Sequence, residues 1–260
     1  MSQPLVLYEE RGAVALITYN RPETRNAWNV QMIREAMAAV ERGNSSDAVG
    51  AIVITASGPV FCSGVDFKSP PEPKDPETGI RPRVSTIGMA RDTSWLHLLA
   101  GSKPSIAAIN GRAIGLGVTH TLAADIRMGA ASSSYSFAFL ERGTMPEFGC
   151  TALLPRIVGY GRAVDICLSA QTLTAPEARE VGLITRIAPD DELLEQALAL
   201  GERLASFPAL AMGLTRRMLQ ANATESDLNA MLGTEREGFV RYIKATRVSN
   251  TANTTIKAPQ

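Results

Sequence analysis

In the segment ERGTMPEFGCTALLPR, residues 141–156, the carboxylate of Glu147 lies inside the small and apolar run that follows Gly143. An apolar setting disfavours ionisation and raises the pKa of a carboxyl group towards the range in which it can both accept and release a proton. Glu147 is therefore a candidate general acid–base group. The alternative is a solvated charge on a loop or at the start of a helix. Glu141 is a second candidate acid, although its setting, LERG, is typical of a strand end or a loop.

Two glycine-containing turns could stabilise negative charge on a substrate. The first is FCSGVDF, residues 61–67, and the second lies within INGRAIGLGVTHTLAADI, residues 109–126. In the second turn, Gly115-Leu116-Gly117 opens a run that is typical of a helix. A helix N-terminus presents free N–H groups and the positive end of the helix dipole, which suit a developing oxyanion. Close backbone packing of a turn is the alternative explanation.

Strands that alternate with helices must position these turns. Apolar runs predict strands over residues 14–18, 51–55, 104–110 and 125–128. An i, i+3, i+4, i+7 stripe predicts a helix over residues 31–42, with Asn29 as its N-cap. This alternation predicts an α/β fold with mostly parallel strands.

The second half of the chain is predicted to be mainly helical. Thr174 and Glu177 form a capping-box pattern, and Gly182 is placed to end that helix. Further helices are predicted over residues 191–206, 209–221 and 225–244, followed by a frayed polar tail over 249–260.

Residues 69–83 break the alternation, because this segment contains five prolines. Such a composition predicts a long, mobile loop. The loop is either a passive insertion or a lid over a site that begins just before it.

Composition excludes several classes of function. Lys plus Arg and Asp plus Glu both number 26, and no basic patch indicates nucleic-acid binding. The three cysteines and two histidines show no metal-ligand or disulfide spacing, which indicates reduced thiols and a cytoplasmic protein. No apolar run approaches the about 20 residues of a membrane span, and the N-terminus lacks the features of a signal peptide.

The order and spacing of these segments resemble the crotonase superfamily, the enoyl-CoA hydratases and isomerases. The resemblance covers nearly the whole chain and is carried by NRPETRNAWN, GPVFCSGVDF, KPSIAAINGRAIGLG, AADIR and LPRIVGYGRAVDICLSAQTLTAPEAREVGLI. It implies the crotonase (ClpP-like) fold, with stacked ββα units over residues 1–195 and a helical trimerisation region over 196–260. It also implies an acyl-CoA thioester substrate, a homotrimer or dimer of trimers, and no cofactor beyond the coenzyme A of the substrate.

The resemblance also implies the roles of particular residues. The backbone N–H groups of Val65 and Leu116 would form an oxyanion hole for the thioester oxygen. Most relatives have glycine at position 116, but leucine still supplies an N–H if the backbone does not require a positive φ. Asp66 is expected to fix the first turn through hydrogen bonds. The other residues that the resemblance assigns to substrate or CoA binding are Arg25, Ala27, Phe67, Lys68 and Phe139, although Arg25 and Lys68 could equally be solvated charges.

The resemblance also points to the acid. Hydratases of this family use two glutamates, and the matching positions here hold Thr119 and Phe139. Glu147 instead matches the base of peroxisomal-type Δ3,Δ2-enoyl-CoA isomerases, with Phe148 in place of the usual glycine. This implies an isomerase that shifts a 3-enoyl double bond to position 2 with Glu147 as proton shuttle. A divergent hydratase, another crotonase-type reaction and a non-catalytic acyl-CoA-binding protein are the alternatives.

Two further residues have less specific interpretations. Cys62 stands where relatives carry small packing residues, so a nucleophilic role is not favoured. His120 follows the second turn, where it either packs in the core or lines the acyl pocket.

Overall fold

The computed structural model describes residues 3–77 and 79–255, with side chains up to residue 247. The chain divides into two compact units, one that ends at Ser206 and one that begins at Phe207. The first unit contains two β-sheets and eight of the helices described below, so the fold is α/β as predicted. The second unit consists of two helices.

A six-stranded sheet forms the centre of the first unit. Its strands are β1 (Val6–Arg11), β2 (Val14–Tyr19), β3 (Ala51–Ala56), β5 (Ser105–Ile109), β7 (Ile126–Ala130) and β10 (Arg186–Ala188), and they are ordered β1-β2-β3-β5-β7-β10. The β1–β2 pair is antiparallel, and the other neighbours in this sheet pair in parallel. The predicted strands and their parallel pairing are thus confirmed, with β1 and β10 added at the two edges.

A second sheet has four strands of three residues each. These are β4 (Val60–Cys62), β6 (Arg112–Ile114), β8 (Ser134–Ser136) and β9 (Thr172–Thr174), ordered β4-β6-β8-β9. The sequence did not predict this sheet, because three residues are too few to show a period-2 pattern. Its functional consequence is direct: β4 pairs in parallel with β6, so the turns that follow these two strands leave the sheet side by side.

The helices largely follow the predicted pattern. They are α1 (Val30–Ser45), α2 (Val84–Gly88), α3 (Trp95–Gly101), α4 (Leu116–Thr119), α5 (Cys150–Val158), α6 (Tyr160–Leu168), α7 (Ala175–Glu180), α8 (Leu193–Ala205), α9 (Ala209–Asn222) and α10 (Leu228–Thr255). The Asn29 side chain accepts a hydrogen bond from the Met32 N–H at 2.8 Å, and Thr174 and Glu177 form the predicted capping box. The predicted frayed tail is wrong over residues 249–255, where α10 continues, and residues 256–260 lie outside the described residues.

Both faces of the four central strands of the six-stranded sheet are buried. Alternate residues of β2 point in opposite directions. Val14 and Leu16 pack in a cluster with Leu193 and Leu200 of α8, whereas Ile17 packs in the larger cluster that includes α1. This explains the near-continuous apolar runs of the strands. Within the described ranges, no helix is both long and apolar enough to cross a membrane.

Candidate active site

The turns after β4 and β6 meet at the edge of the second sheet. A Cβ atom built on Gly64 would lie 3.0 Å from the carbonyl oxygen of Ile114 and 3.9 Å from the backbone nitrogen of Leu116. Gly64 also has a φ of +97°, a conformation that favours glycine. The backbone of Val65 is therefore held directly beside that of Leu116.

The N–H groups of Val65 and Leu116 are free to bind a ligand. Trp28 pairs with Val65 through a parallel bridge: the Trp28 N–H donates to Gly64 O at 2.8 Å, and the Asp66 N–H donates to Trp28 O at 2.9 Å. Consequently the N–H of Val65 points away from Trp28. Among the residues that the structure describes, neither the Val65 nor the Leu116 N–H donates a hydrogen bond to a protein group. Both residues line one cavity of about 740 Å³.

Leucine is compatible with the backbone at position 116. Leu116 is the first residue of α4, and it is not among the residues with positive φ. The turn instead places the positive φ, 56°, on Gly115. The next residue, Gly117, approaches β4 so closely that a Cβ atom there would overlap the carbonyl oxygen of Cys62.

Asp66 holds the first turn through four hydrogen bonds. Its Oδ1 accepts from the backbone N–H groups of Lys68 and Ser69 at 3.0 and 3.2 Å. Its Oδ2 accepts from the Ser69 hydroxyl at 2.7 Å and from Arg21 Nη2 at 3.2 Å. Burial raises the pKa of Asp66, but the hydrogen bonds from Ser69, Lys68 and Arg21 together outweigh burial and lower it. Asp66 is thus an ionised structural group.

Glu147 lines the same cavity as Val65 and Leu116. Glu147 is partly buried, and this burial raises the pKa of its carboxyl group. Within the described part of the chain, its carboxylate makes no hydrogen bond or ion pair. A carboxyl group with these properties can accept a proton from a bound molecule and return it.

The other acids of the cavity are engaged elsewhere. Asp66 pairs with Arg21, and Glu72 pairs with Arg34 at 3.6 Å. Glu141 is exposed and is not among the residues that line the cavity. Of the cavity acids in the described ranges, Glu147 is the one without a polar partner.

The two positions that match the hydratase glutamates hold Thr119 and Phe139, and neither side chain is an acid. Thr119 is fully buried and does not line the cavity, and its hydroxyl has no hydrogen-bond partner among the described residues. Phe139 lines the cavity and is 5% exposed. Its ring lies 3.7 Å from the position that a Cβ atom on Gly115 would occupy. An apolar ring therefore stands beside the turn that presents the Leu116 N–H.

Phe148 anchors Glu147 to the core, a role that the sequence did not predict. The Phe148 ring is fully buried and packs edge-on against Trp28, with ring centroids 6.2 Å apart. It also contacts Gly88 of α2 so closely that a Cβ atom there would overlap it. The Phe148 backbone adopts a φ of 55°, and its N–H donates to the sulfur of Met89 at 3.3 Å. A large apolar residue beside an isolated acid was the feature that could have revealed this anchor.

His120 and Cys62 lie behind the cavity and do not line it. His120 is 1% exposed, so the structure contradicts the interpretation in which it lines the acyl pocket. Burial raises the pKa of the Cys62 thiol to about 12, although a hydrogen bond with Gly64 opposes this, so the nucleophilic thiolate is disfavoured.

The residues assigned to CoA binding are only partly brought together. Phe67 is 82% exposed and lines the cavity, as do Asp66 and Phe139. Lys68 and Arg25 are exposed, Ala27 is buried, and these three are not among the lining residues. Their role in CoA binding stays a prediction. The cavity also receives residues from the proline-rich segment and from the loop before Glu147; those with positive charge are Arg81, Arg83 and Arg142.

Comparison with known proteins identifies the class to which this fold and site belong. Residues 9–254 match the model of the enoyl-CoA hydratase/isomerase family. A probable enoyl-CoA hydratase of Mycobacterium bovis is 38% identical over 249 residues, which cover 93% of this chain and 86% of that protein. The 1,2-epoxyphenylacetyl-CoA isomerase of Escherichia coli is 32% identical over 241 residues, covering 91% of this chain and 89% of the relative.

The fold comparison gives the same class. The crystal structure of a probable enoyl-CoA hydratase/isomerase from Mycobacterium abscessus superposes with a TM-score of 0.81 and 29% identity, covering 99% of this chain and 97% of that one. The chain belongs to the enoyl-CoA hydratase/isomerase family and has the crotonase fold. In this chain, one cavity combines the two free N–H groups and the unpartnered glutamate described above.

Proposed function

We propose that this protein is an acyl-CoA isomerase that moves a double bond from position 3 to position 2. The observation that carries the proposal is the shared cavity of Glu147 and the free N–H groups of Val65 and Leu116. When a thioester carbonyl oxygen accepts hydrogen bonds from both N–H groups, the negative charge that develops on this oxygen is stabilised. The protons on C2 of the substrate therefore become more acidic.

The reaction then needs one proton carrier. The ionised carboxylate of Glu147 takes a proton from C2 of a 3-enoyl-CoA, and the electron pair moves onto the thioester oxygen to give a dienolate. The protonated Glu147 then delivers its proton to C4, the electrons return from the oxygen, and the double bond lies between C2 and C3. The carboxylate is regenerated, so no second acid or base is consumed.

Two properties of the site favour proton shuttling over water addition. Addition of water requires a base for the water as well as a proton donor for C2. The equivalent hydratase positions hold Thr119, which is buried away from the cavity, and Phe139, whose ring is apolar. The raised pKa of Glu147 suits a group that must act as base and then as acid.

A divergent hydratase is the second candidate, because the Mycobacterium bovis relative is named as a probable hydratase. Glu147 would then have to activate water by itself. A protein that binds acyl-CoA without reaction is the third candidate. An unpartnered, partly buried carboxylate argues against it, since a binding protein gains nothing from the desolvation of this group.

Product formation distinguishes these candidates. Purified protein is given 3-hexenoyl-CoA or 2-hexenoyl-CoA, and the absorbance of the conjugated thioester is followed. An isomerase creates conjugation from the first substrate, and Glu147→Gln abolishes this while the exposed control Glu141→Gln retains it. Loss of conjugation from 2-hexenoyl-CoA with formation of a 3-hydroxyacyl product would identify a hydratase. Binding of both thioesters without conversion would favour the non-catalytic candidate.

We also propose that the protein works in the cytoplasm as a homotrimer or a dimer of trimers. The free thiols of Cys62, Cys150 and Cys167 and the membership of the family support this proposal. Light scattering of the purified protein tests the assembly, with a mass of three or six chains of 27.8 kDa as the expected result. A monomer or a dimer would contradict it.

A further inference from the structure

A buried histidine lies directly beneath the turn that presents the Leu116 N–H. His120 is the residue that follows α4, and its ring is surrounded by Tyr19, Trp28, Phe61 and Trp95. The Phe61 ring stacks on the imidazole at an angle of 6° and a centroid distance of 5.7 Å. Packing of this kind leaves the ring little freedom to rotate.

Hydrogen bonds fix both nitrogens of the imidazole. Nδ1 lies 2.8 Å from the carbonyl oxygen of Leu116, and Nε2 lies 2.9 Å from the hydroxyl of Tyr19. A carbonyl oxygen can only accept, so Nδ1 carries the proton and Nε2 accepts from Tyr19. Burial lowers the pKa of His120 to about 4, despite the hydrogen bond to Leu116, so the ring is neutral at pH 7. The structure therefore requires the Nδ1–H tautomer.

The histidine supports an element that is too short to support itself. Helix α4 has four residues and continues into a 3-10 turn over His120–Ala123. The Leu116 carbonyl accepts from the backbone N–H of His120 and from its Nδ1–H. The backbone of His120 is held in turn, because Trp95 Nε1 donates to its carbonyl oxygen at 2.8 Å. The first residue of α4 is thus tied to the aromatic core by a side chain one helical turn away.

We infer that His120 is a positioning residue for the oxyanion hole. Its side chain holds Leu116 so that the N–H of Leu116 points at the thioester oxygen. This inference rests on the proposed role of the Leu116 N–H. His120 would act through Leu116 and not on the substrate, since it does not line the cavity. Tyr19 would act one step further back, by selecting the tautomer that donates from Nδ1.

Two matched substitutions separate this role from simple packing. In His120→Asn, the amide nitrogen can replace Nδ1 and donate to Leu116 O. In His120→Gln, the amide nitrogen falls near the position of Nε2 and does not reach that oxygen. Both remove the ring, so a packing role predicts similar damage from both, whereas a positioning role predicts rescue by asparagine alone.

The readout is the polarisation of a bound thioester carbonyl, measured without turnover. Each substitution is placed in a Glu147→Gln background, saturated with 2-hexenoyl-CoA, and examined for the red shift of the conjugated thioester absorbance that an oxyanion hole causes. We expect the shift with His120 and with His120→Asn, and its loss with His120→Gln. In the Glu147 protein, we expect His120→Gln to lower kcat by roughly 10- to 100-fold with little change in KM.

The contrary outcomes are distinct. An equal red shift in the asparagine and glutamine variants would overturn the positioning role and leave the proposed function intact. If no red shift appears even with His120 present, the N–H groups of Val65 and Leu116 do not polarise the thioester carbonyl. That result would overturn the oxyanion hole on which the proposed function rests.

A measurement on the unsubstituted residue covers the case in which the glutamine variant fails to fold. The chain has two histidines, so nitrogen-15 NMR with His97→Gln as the assignment control isolates the signals of His120. We expect the neutral Nδ1–H tautomer, and Tyr19→Phe should weaken that preference. The Nε2–H tautomer would contradict the inference, because Nδ1 could then not donate to Leu116.

Discussion

The proposed oxyanion hole and the acid segment, residues 140–149, belong to the same cavity and are built in opposite ways. The hole would consist of the backbone N–H groups of Val65 and Leu116, on the turns that follow β4 and β6. Leu116 is 1% exposed. The acid is a side chain on a segment whose residues 140–145 are exposed, and α5 begins after it, at Cys150. The backbone groups tolerate a change of residue type, as leucine at position 116 shows. In the proposed reaction, proton transfer depends on one particular side chain, that of Glu147.

Under the proposed function, this contrast separates the stabilisation of an enolate from the choice of reaction. Backbone donors stabilise an enolate whatever happens to it next. The position of the carboxyl groups then determines which carbon gains a proton and whether water is activated. In this chain, residues 140–149 supply Glu147 and the hydratase positions supply no acid, so under the proposed function this segment decides the reaction type.

The largest effect is expected from removal of the acid. Glu147→Gln should lower kcat by about 10³-fold, since a positioned general acid–base group contributes roughly 10²- to 10⁴-fold. The wild-type rate should also fall as pH drops through the raised pKa of Glu147, because the base must be ionised. Steady-state rates from pH 5 to 8 measure both effects. Retention of activity within tenfold would show that the proton carrier lies elsewhere.

The same substitution should leave the fold no less stable at pH 7. Burial raises the pKa of Glu147 in the folded protein, so the folded state binds more protons than the unfolded chain near that pKa. Stability is therefore lost as pH rises through the folded pKa, and glutamine avoids this loss. Thermal unfolding is the check, and a clearly lower midpoint for Glu147→Gln would contradict it.

Removal of a backbone donor should have the next largest effect. Proline has no N–H, and its fixed φ suits the first position of a helix, which Leu116 occupies in α4. Leu116→Pro therefore removes the donor while the backbone can keep its conformation. Leu116→Ala is the matched control, since it removes the buried side chain and keeps the N–H. We expect kcat of the proline variant to be about 10²- to 10³-fold below that of the alanine variant. Equal activities would exclude the Leu116 N–H from the reaction.

A smaller effect is expected where the two regions are joined through Phe148. Phe148→Gly removes a fully buried ring, which should destabilise the fold by about 3–5 kcal/mol. It also relieves the strain of the left-handed backbone conformation at this position, which should stabilise the fold by about 1–2 kcal/mol. A net loss of about 2–3 kcal/mol is expected from denaturant unfolding. The rate should fall about tenfold because Glu147 is held less firmly. Phe148→Leu is the control that keeps most of the apolar contact; the idea of an anchor fails if the glycine variant is as stable and active as the leucine variant.

The smallest effect concerns the exposed charge of Lys68. Its backbone N–H, which donates to Asp66, survives in Lys68→Ala, so the substitution removes the charge alone. If Lys68 meets a CoA phosphate, KM should rise by less than about fivefold, kcat should not change, and 0.5 M salt should abolish the difference. Lys74→Ala, at another exposed position, should have no effect. An unchanged KM for Lys68→Ala at low salt would remove Lys68 from the CoA site.

Sequence patterns predicted the features that depend on neighbouring residues. The central strands were found because both of their faces are buried and their apolar runs are continuous. The Asn29 cap and the Thr174–Glu177 capping box were found because each is completed within three residues. The roles of Val65, Leu116 and Glu147 were predicted from resemblance, and the structure adds that all three line one cavity.

Features that depend on distant residues were not predictable in this way. The three-residue strands of the second sheet gain their stability from one another and carry no periodic pattern. The Tyr19–His120 hydrogen bond joins residues 101 positions apart. The buried position of Phe148 depends on Trp28 and Gly88, which lie on other elements. Tertiary packing determined each of these, and local propensity did not.

The most direct test follows the proton itself. Wild type and Glu147→Gln are each given 3-hexenoyl-CoA that carries deuterium at C2, and the isotope content of C2 and C4 is followed by NMR and mass spectrometry. A shuttle with one carboxylate predicts that wild type removes deuterium from C2 and adds hydrogen or deuterium at C4 as the conjugated thioester forms. It also predicts that Glu147→Gln leaves the C2 label in place over the same period. Loss of the C2 label from the Glu147→Gln reaction at the wild-type rate would contradict the central role of Glu147.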